Sequence, residues 1–101
     1  MAKLDPLISQ PVRLQIMASL MSLDPEETVD FTYLKNLLNL TDGNLGAHLN
    51  KLEEAVYIRT EKTFVGKKPK TYVSLTGKGR DAFAEHVAAL EEIVKTSGRR
   101  P

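Results

Sequence analysis

Nineteen residues in the middle of the chain, LTDGNLGAHLNKLEEAVYI from Leu40 to Ile58, leave few ways for it to fold. Thr41 suits an N-cap, its hydroxyl accepting from the amide near Asn44, and Asp42 sets negative charge against the positive end of a helix dipole. A helix therefore starts near Asp42. Leu45, Leu49, Leu52 and Val56 follow at spacings of four, three and four, which places them on one face at about 3.6 residues per turn. The spacing predicts a helix over about 42–56 with that stripe buried.

Opposite the stripe stand Gly43, Asn44, Ala47, Asn50 and Lys51, with Gly46 and His48 on its flanks. A solvated helix face is usually dense in Glu, Lys and Arg, whereas here the acidic pair Glu53 and Glu54 is confined to the C-terminal half. Two glycines cost about 1 kcal/mol each against Ala in a helix. They either loosen a first turn or keep the face small enough for another molecule to approach its backbone.

Charge is segregated along the chain. The total is only +1, but residues 1–58 carry four basic and eight acidic side chains, and residues 59–80 carry seven basic and one acidic. The seven are Arg59, Lys62, Lys67, Lys68, Lys70, Lys78 and Arg80, a net +6 with Glu61. Such a block is the electrostatic footprint of a polyanion-binding surface.

The flanking segments take their roles from this centre. Pro11 fits the first position of a helix from about Gln10 to Leu23, where its missing amide is no loss. Val12, Leu14, Ile16, Met17, Leu20 and Met21 make that helix apolar over much of its circumference. Its excess must be shielded by Leu4, Leu7 and Ile8 or pressed on a second subunit. Thr28-Val29-Asp30 suits a short edge strand, and Asp30 or Thr32 caps a helix over about 31–39 with Phe31, Leu34, Leu37 and Leu38 inward. A connection of about three residues then leads to the central helix, which is the helix-turn-helix spacing.

Residues 57–65 and 70–76 alternate as two strands of a hairpin, with Ile58, Thr60, Lys62 and Phe64 on one side and Thr71, Val73 and Leu75 on one side of the return strand. Between them VGKKPK places Lys67, Lys68 and Lys70 around the turn formers Gly66 and Pro69, a basic wing over 65–70. Polar turns are common, but three lysines in four residues beside a helix-turn-helix suit a phosphate backbone or minor groove. Thr76 caps a last helix over about 78–95 that ends at Ser97-Gly98, followed by a disordered tail at 99–101. Its stripe of Ala82, Phe83, His86, Val87, Leu90, Ile93 and Val94 follows the compact part of the chain and needs a partner; His86 at its edge is a packing or interface residue rather than a ligand.

The fold class is mainly α with a small β-hairpin (α+β), one domain over 1–98. Three stretches, PVRLQIMASL, LTDGNLGAHLNKLEEAVYI and KTYVSLTGKGRDAF, make the chain resemble the small stand-alone winged helix-turn-helix transcriptional regulators of the MarR/ArsR-like group. The resemblance implies a homodimer that binds double-stranded DNA. It maps Asn44, Ala47, His48 and Lys51 onto groove-facing positions and Lys67, Lys68 and Lys70 onto the wing; Thr41 and Arg59 complete the expected DNA-binding set. A dimer interface is expected at Leu4, Leu7, Ile8, Phe83, Val87, Leu90 and Val94, with residues 78–97 as the dimerisation helix. Gly46 departs from the Ser that many relatives carry.

Other classes find no support in the residues. The chain has no Cys and only two His, 38 positions apart, so no metal or cofactor is expected and the metal motif of the arsenic-type sensors is missing. It carries no nucleophile–base pair or Gly-rich phosphate loop, hence no enzyme. With no apolar run near the length of a spanning helix and no signal peptide at MAKLDPLISQ, the expected place is the cytoplasm and no membrane partner is expected. Whether an effector ligand exists is not written in the chain. The alternative reading is a winged-helix protein–protein interaction module, for which neither the +6 segment nor the small polar helix face is needed.

Overall fold

The computed structural model describes residues 2–98; the tail expected at 99–101 lies outside them. Among the described residues the elements are α1 (Pro6–Ser9), α2 (Pro11–Met21), β1 (Val29–Asp30), α3 (Phe31–Leu37), α4 (Asp42–Glu54), β2 (Ile58–Val65), β3 (Lys68–Leu75) and α5 (Gly77–Ser97). The strands form one antiparallel sheet in the order β1-β3-β2. Helices followed by a hairpin, with a small strand returning to its inner edge, are the winged-helix architecture.

Local chemistry sets the boundaries. Asp5 caps α1, its carboxylate accepting from the amides of Leu7 and Ile8, so the residues ahead of Pro11 form a helical turn of their own. Gln10 caps α2 through its side chain, and Asp30, Thr41 and Thr76 cap α3, α4 and α5. Helix α3 stops two residues short of the expected Asn39 because Asn39 takes φ 54°, and the amides of Asn39 and Leu40 turn back to the carbonyls of Asn36 and Lys35. Helix α4 ends the same way. Val56 takes φ 62°, and the amides of Val56 and Tyr57 bond Glu53 and Leu52. Val56 thus leaves the buried stripe predicted for it and is exposed, while Leu45, Leu49 and Leu52 are buried.

One core holds the domain. Ile8, Ile16, Met17, Leu20, Leu34, Leu45, Leu49, Leu52, Ile58, Val73 and Leu75 form it, with Val12, Leu14, Met21 and Phe83 packed at its margin. The surplus apolar surface of α2 is therefore covered within its own chain. Ile8, expected at a dimer interface, is fully enclosed and has no surface left to offer, and Leu7 is half-buried against the core. Leu37, expected inward, is exposed, because the inward side of α3 is the one that carries Phe31, Leu34 and Leu38.

Two connections fix α5. Thr76 donates its amide to the Tyr57 carbonyl and its hydroxyl to that of Val56, while Gly79 donates its amide to the Thr76 hydroxyl. A Cβ on Gly79 would come within 2.0 Å of the Tyr57 carbonyl oxygen, so only glycine lets α5 start here. Beyond Leu90 no residue of α5 is buried: Ile93 and Val94 are exposed, and the molecule extends 63 Å along an axis while measuring 25 and 22 Å across it.

Candidate nucleic-acid interface

The outer face of α4 is as small as its residues suggest. Thr41, Gly43, Asn44, Ala47, Asn50 and Lys51 are all exposed, and a Cβ at Gly43 or Gly46 would meet nothing within 4 Å. These glycines are not demanded by packing inside the chain, so the smallness is a property of the surface. The Asn44 side chain makes no hydrogen bond among the described residues; its backbone amide donates to Thr41 Oγ1 over 3.1 Å. Asp42 is drawn to Lys35 at 3.0 Å, a bridge too exposed to add much stability but one that spans the turn between α3 and α4.

His48 stands apart from the groove-facing set expected of it. It is half-buried, and its Nδ1 lies 3.2 Å from a guanidinium nitrogen of Arg13, whose Nε donates to the Leu7 carbonyl. Arginine has no lone pair to offer, so His48 Nδ1 is the acceptor and the proton of the neutral ring sits on Nε2. Burial, and then the Arg13 charge, hold the imidazole below its ordinary pKa. His48 joins α4 to α2.

The wing is a hairpin of two eight-residue strands closed by Gly66 and Lys67, with Gly66 at φ 65°. Successive side chains alternate between its faces. Ile58, Thr60, Lys62 and Phe64, paired with Leu75, Val73, Thr71 and Pro69, share the face turned to the body. There Thr60, Lys62 and Thr71 stand across an open groove of about 330 Å³ from Gly46, Leu49, Asn50 and Glu53 of α4, with Phe31 at its floor. Glu53 is held against the strand, accepting from the amide and hydroxyl of Thr60.

The basic segment divides in two. Lys62, Lys67 and Lys68 are exposed and free of ion pairs among the described residues, whereas Lys70, expected on the wing, has its ammonium 2.8 Å from Asp30. That pairing holds Asp30 below its usual range, chiefly by the hydrogen bond from Lys70, and raises Lys70. Arg80 is also spent internally, donating to the Leu23 carbonyl at 3.2 Å. Arg59 is exposed but lies on the face of β2 opposite Thr60, away from the groove. Lys62 was absent from the expected site; its alternation with Ile58 and Thr60 was the signal that could have found it.

The far end of α5 completes the surface. Val87, Leu90 and Val94 line a shallow apolar patch with Glu91 and Lys95 at its rim. Phe83 is half-buried against the core of its own chain, and Leu4 is exposed. Among the described residues there is no cluster of metal-ligating side chains and no helix long and apolar enough to cross a membrane.

Residues 12–94 match the model of the family described as winged helix DNA-binding domain. An uncharacterized protein of Methanocaldococcus jannaschii is 40% identical over 89 residues, 88% of this chain and 94% of its own length. Among solved structures, a transcriptional regulator homologue from Pyrococcus horikoshii is similar with a TM-score of 0.81 and 28% identity, over 92% of this chain and 89% of that one. A PadR-like transcription factor from Bacteroides fragilis superposes with a TM-score of 0.68 at 23% identity, over 92% and 96% of the two chains, a likeness of fold.

Proposed function

Because this chain belongs to the winged helix DNA-binding domain family, a family of DNA-binding domains and not of enzymes, we propose that it is a sequence-specific, double-stranded DNA-binding transcriptional regulator. In this reading α4 enters the major groove, with Asn44, Ala47 and Lys51 toward base edges and Thr41 near the backbone. Lys67 and Lys68 meet the backbone or minor groove from the wing. The observation that carries it is the pairing of an exposed, small, polar face on α4 with unpaired lysines on the wing, Lys62 across an open groove and Lys67 and Lys68 at the hairpin tip. Relatives described as transcriptional regulators share the fold.

The working form is a two-fold homodimer joined through α5. Val87, Leu90 and Val94 supply the self-complementary patch, with Leu4 at its margin, and Ile8 plays no part. Two copies of α4 would then read half-sites about 34 Å apart.

Binding to duplex DNA at a series of salt concentrations tests this. Lys67→Ala with Lys68→Ala should weaken binding to all sequences and reduce the slope of log K against log salt by about 1 for each phosphate no longer neutralised. Asn44→Ala should relax the sequence preference of fragments selected from genomic DNA more than it weakens nonspecific binding. Absence of duplex binding at low salt would overturn the reading.

A further inference from the structure

Charge alone does not account for the tip of the wing. Phe64 is 71% exposed and Val65 54% exposed at the end of a two-stranded arm, where a ring in water forgoes the free energy of burial. Phe64 lies directly across the ladder from Pro69, an apolar pair on the face that looks toward α4. Lys62 stands two residues earlier on that face, and Lys67 and Lys68 follow in and after the turn. Glu61, the only acidic residue of the hairpin, points to the other face.

We propose that Phe64, backed by Pro69, is an apolar wedge that enters the minor groove of duplex DNA and partly unstacks a base step, with Lys62, Lys67 and Lys68 on the flanking phosphates. This rests on the DNA-binding reading above and adds an interaction that is not electrostatic. Phe64 lies four residues beyond Thr60, about 13 Å further along the strand. Thr60 lines the groove beside α4, so the strand separating major from minor groove can pass between α4 and the wing. A minor groove of about 6 Å excludes a hairpin but admits a ring at its tip. The charge around the ring selects the occupant: lysines repel a second copy of the same tip and attract a polyanion.

The test uses a fluorescein-labelled mixed-sequence duplex of about two helical turns, and the same duplex with 2-aminopurine replacing its adenines. Phe64→Ala should weaken binding about tenfold at every salt concentration, with the salt slope unchanged because no cation is removed. The Lys67→Ala and Lys68→Ala pair should reduce the slope, and Phe64→Leu should keep most of the affinity. Wild type should raise 2-aminopurine fluorescence and Phe64→Ala should not. The exposed position lets Phe64→Ala melt like wild type, so a binding loss is not a folding loss. If Phe64→Ala binds and unstacks like wild type, the wedge is wrong and DNA binding stands; if wild type binds no duplex at low salt, both fail. A lower mass for Phe64→Ala than for wild type in solution would assign the ring to self-association, and retained affinity for anionic vesicles without duplex binding would assign it to a lipid surface; either overturns the wedge.

Discussion

The backbone amide of Asp5 donates to Nδ1 of His86 over 2.9 Å, joining two residues 81 positions apart. His86 is almost fully buried, and its Nε2 has no hydrogen-bond partner among the described residues. The Asp5 carboxylate also caps α1 and accepts from the hydroxyl of Tyr57. One aspartate thus ties the N-terminal turn, the junction after α4 and the middle of α5.

Tyr57→Phe removes the phenol from this knot and should cost about 1 kcal/mol, read as a lower urea midpoint at pH 7 with an unchanged m-value. The hydrogen bond to Asp5, then burial, push the Tyr57 pKa up to about 12 from 10. A folded pKa above the unfolded one gives stability that is complete below pH 10 and lost as pH rises through about 12. The gap between wild type and Tyr57→Phe should therefore close over that window.

His48 carries the opposite sign. Its folded pKa is depressed, so the stability linked to it is present above the unfolded value of about 6.5 and lost as pH falls through the lower folded value. Melting temperatures of wild type and His48→Gln should diverge least in mild acid and most at neutral pH. A difference independent of pH would mean that neither burial nor Arg13 acts on the ring as described.

Val56 is β-branched and left-handed at the end of α4, a conformation that costs about 1–2 kcal/mol for an L-residue with a Cβ. Its side chain is more than half exposed, so little packing offsets the strain. Val56→Asn should stabilise the protein by about 1 kcal/mol in denaturant melts without altering DNA affinity.

Gly79→Ala should be the most damaging single-methyl change in the chain. The added carbon would overlap the Tyr57 carbonyl, and a rigid backbone atom cannot yield as a side-chain end can. A loss of more than about 3 kcal/mol is expected from calorimetry; Gly46→Ala, in open space, should stabilise slightly while testing whether α4 must stay small to bind.

Leu90→Asp tests the proposed dimer. Wild type should sediment at about twice the 11.2 kDa of the chain, and the variant as a monomer with much weaker DNA binding but an intact fold, because Leu90 is only half-buried in its own chain. A wild-type monomer at micromolar concentration would remove the dimer.

Periodicity made α4, the hairpin and α5 legible in the sequence, and the caps at Thr41 and Thr76 were found because threonine before a polar turn has few other uses. What escaped were facts of placement. Alternation told which side of β2 carries Phe64 but not that the strand has left the body by then, so Phe64 is exposed on the side where Ile58 is buried. Lys70 and Lys68 look alike in sequence; only the register of β1 against β3 brings Asp30 to Lys70. Val56 kept the helical spacing but fell two residues past the end of α4. Leu7 and Ile8 form a capped turn too short for any period to reveal.

The central place of β3 also has a bearing on the order of events in synthesis. Among the described residues β1 has no strand partner but β3, and β2 pairs with β3 alone, so the sheet cannot be complete until the ribosome has released residue 75, well after α1 to α4. The helices must wait as a loose cluster, and Thr76 and Gly79 then seat α5 within a few residues of the last strand pair. Sheet and final helix should consequently lock in one step, with the amides of β1 and β3 acquiring hydrogen-exchange protection together.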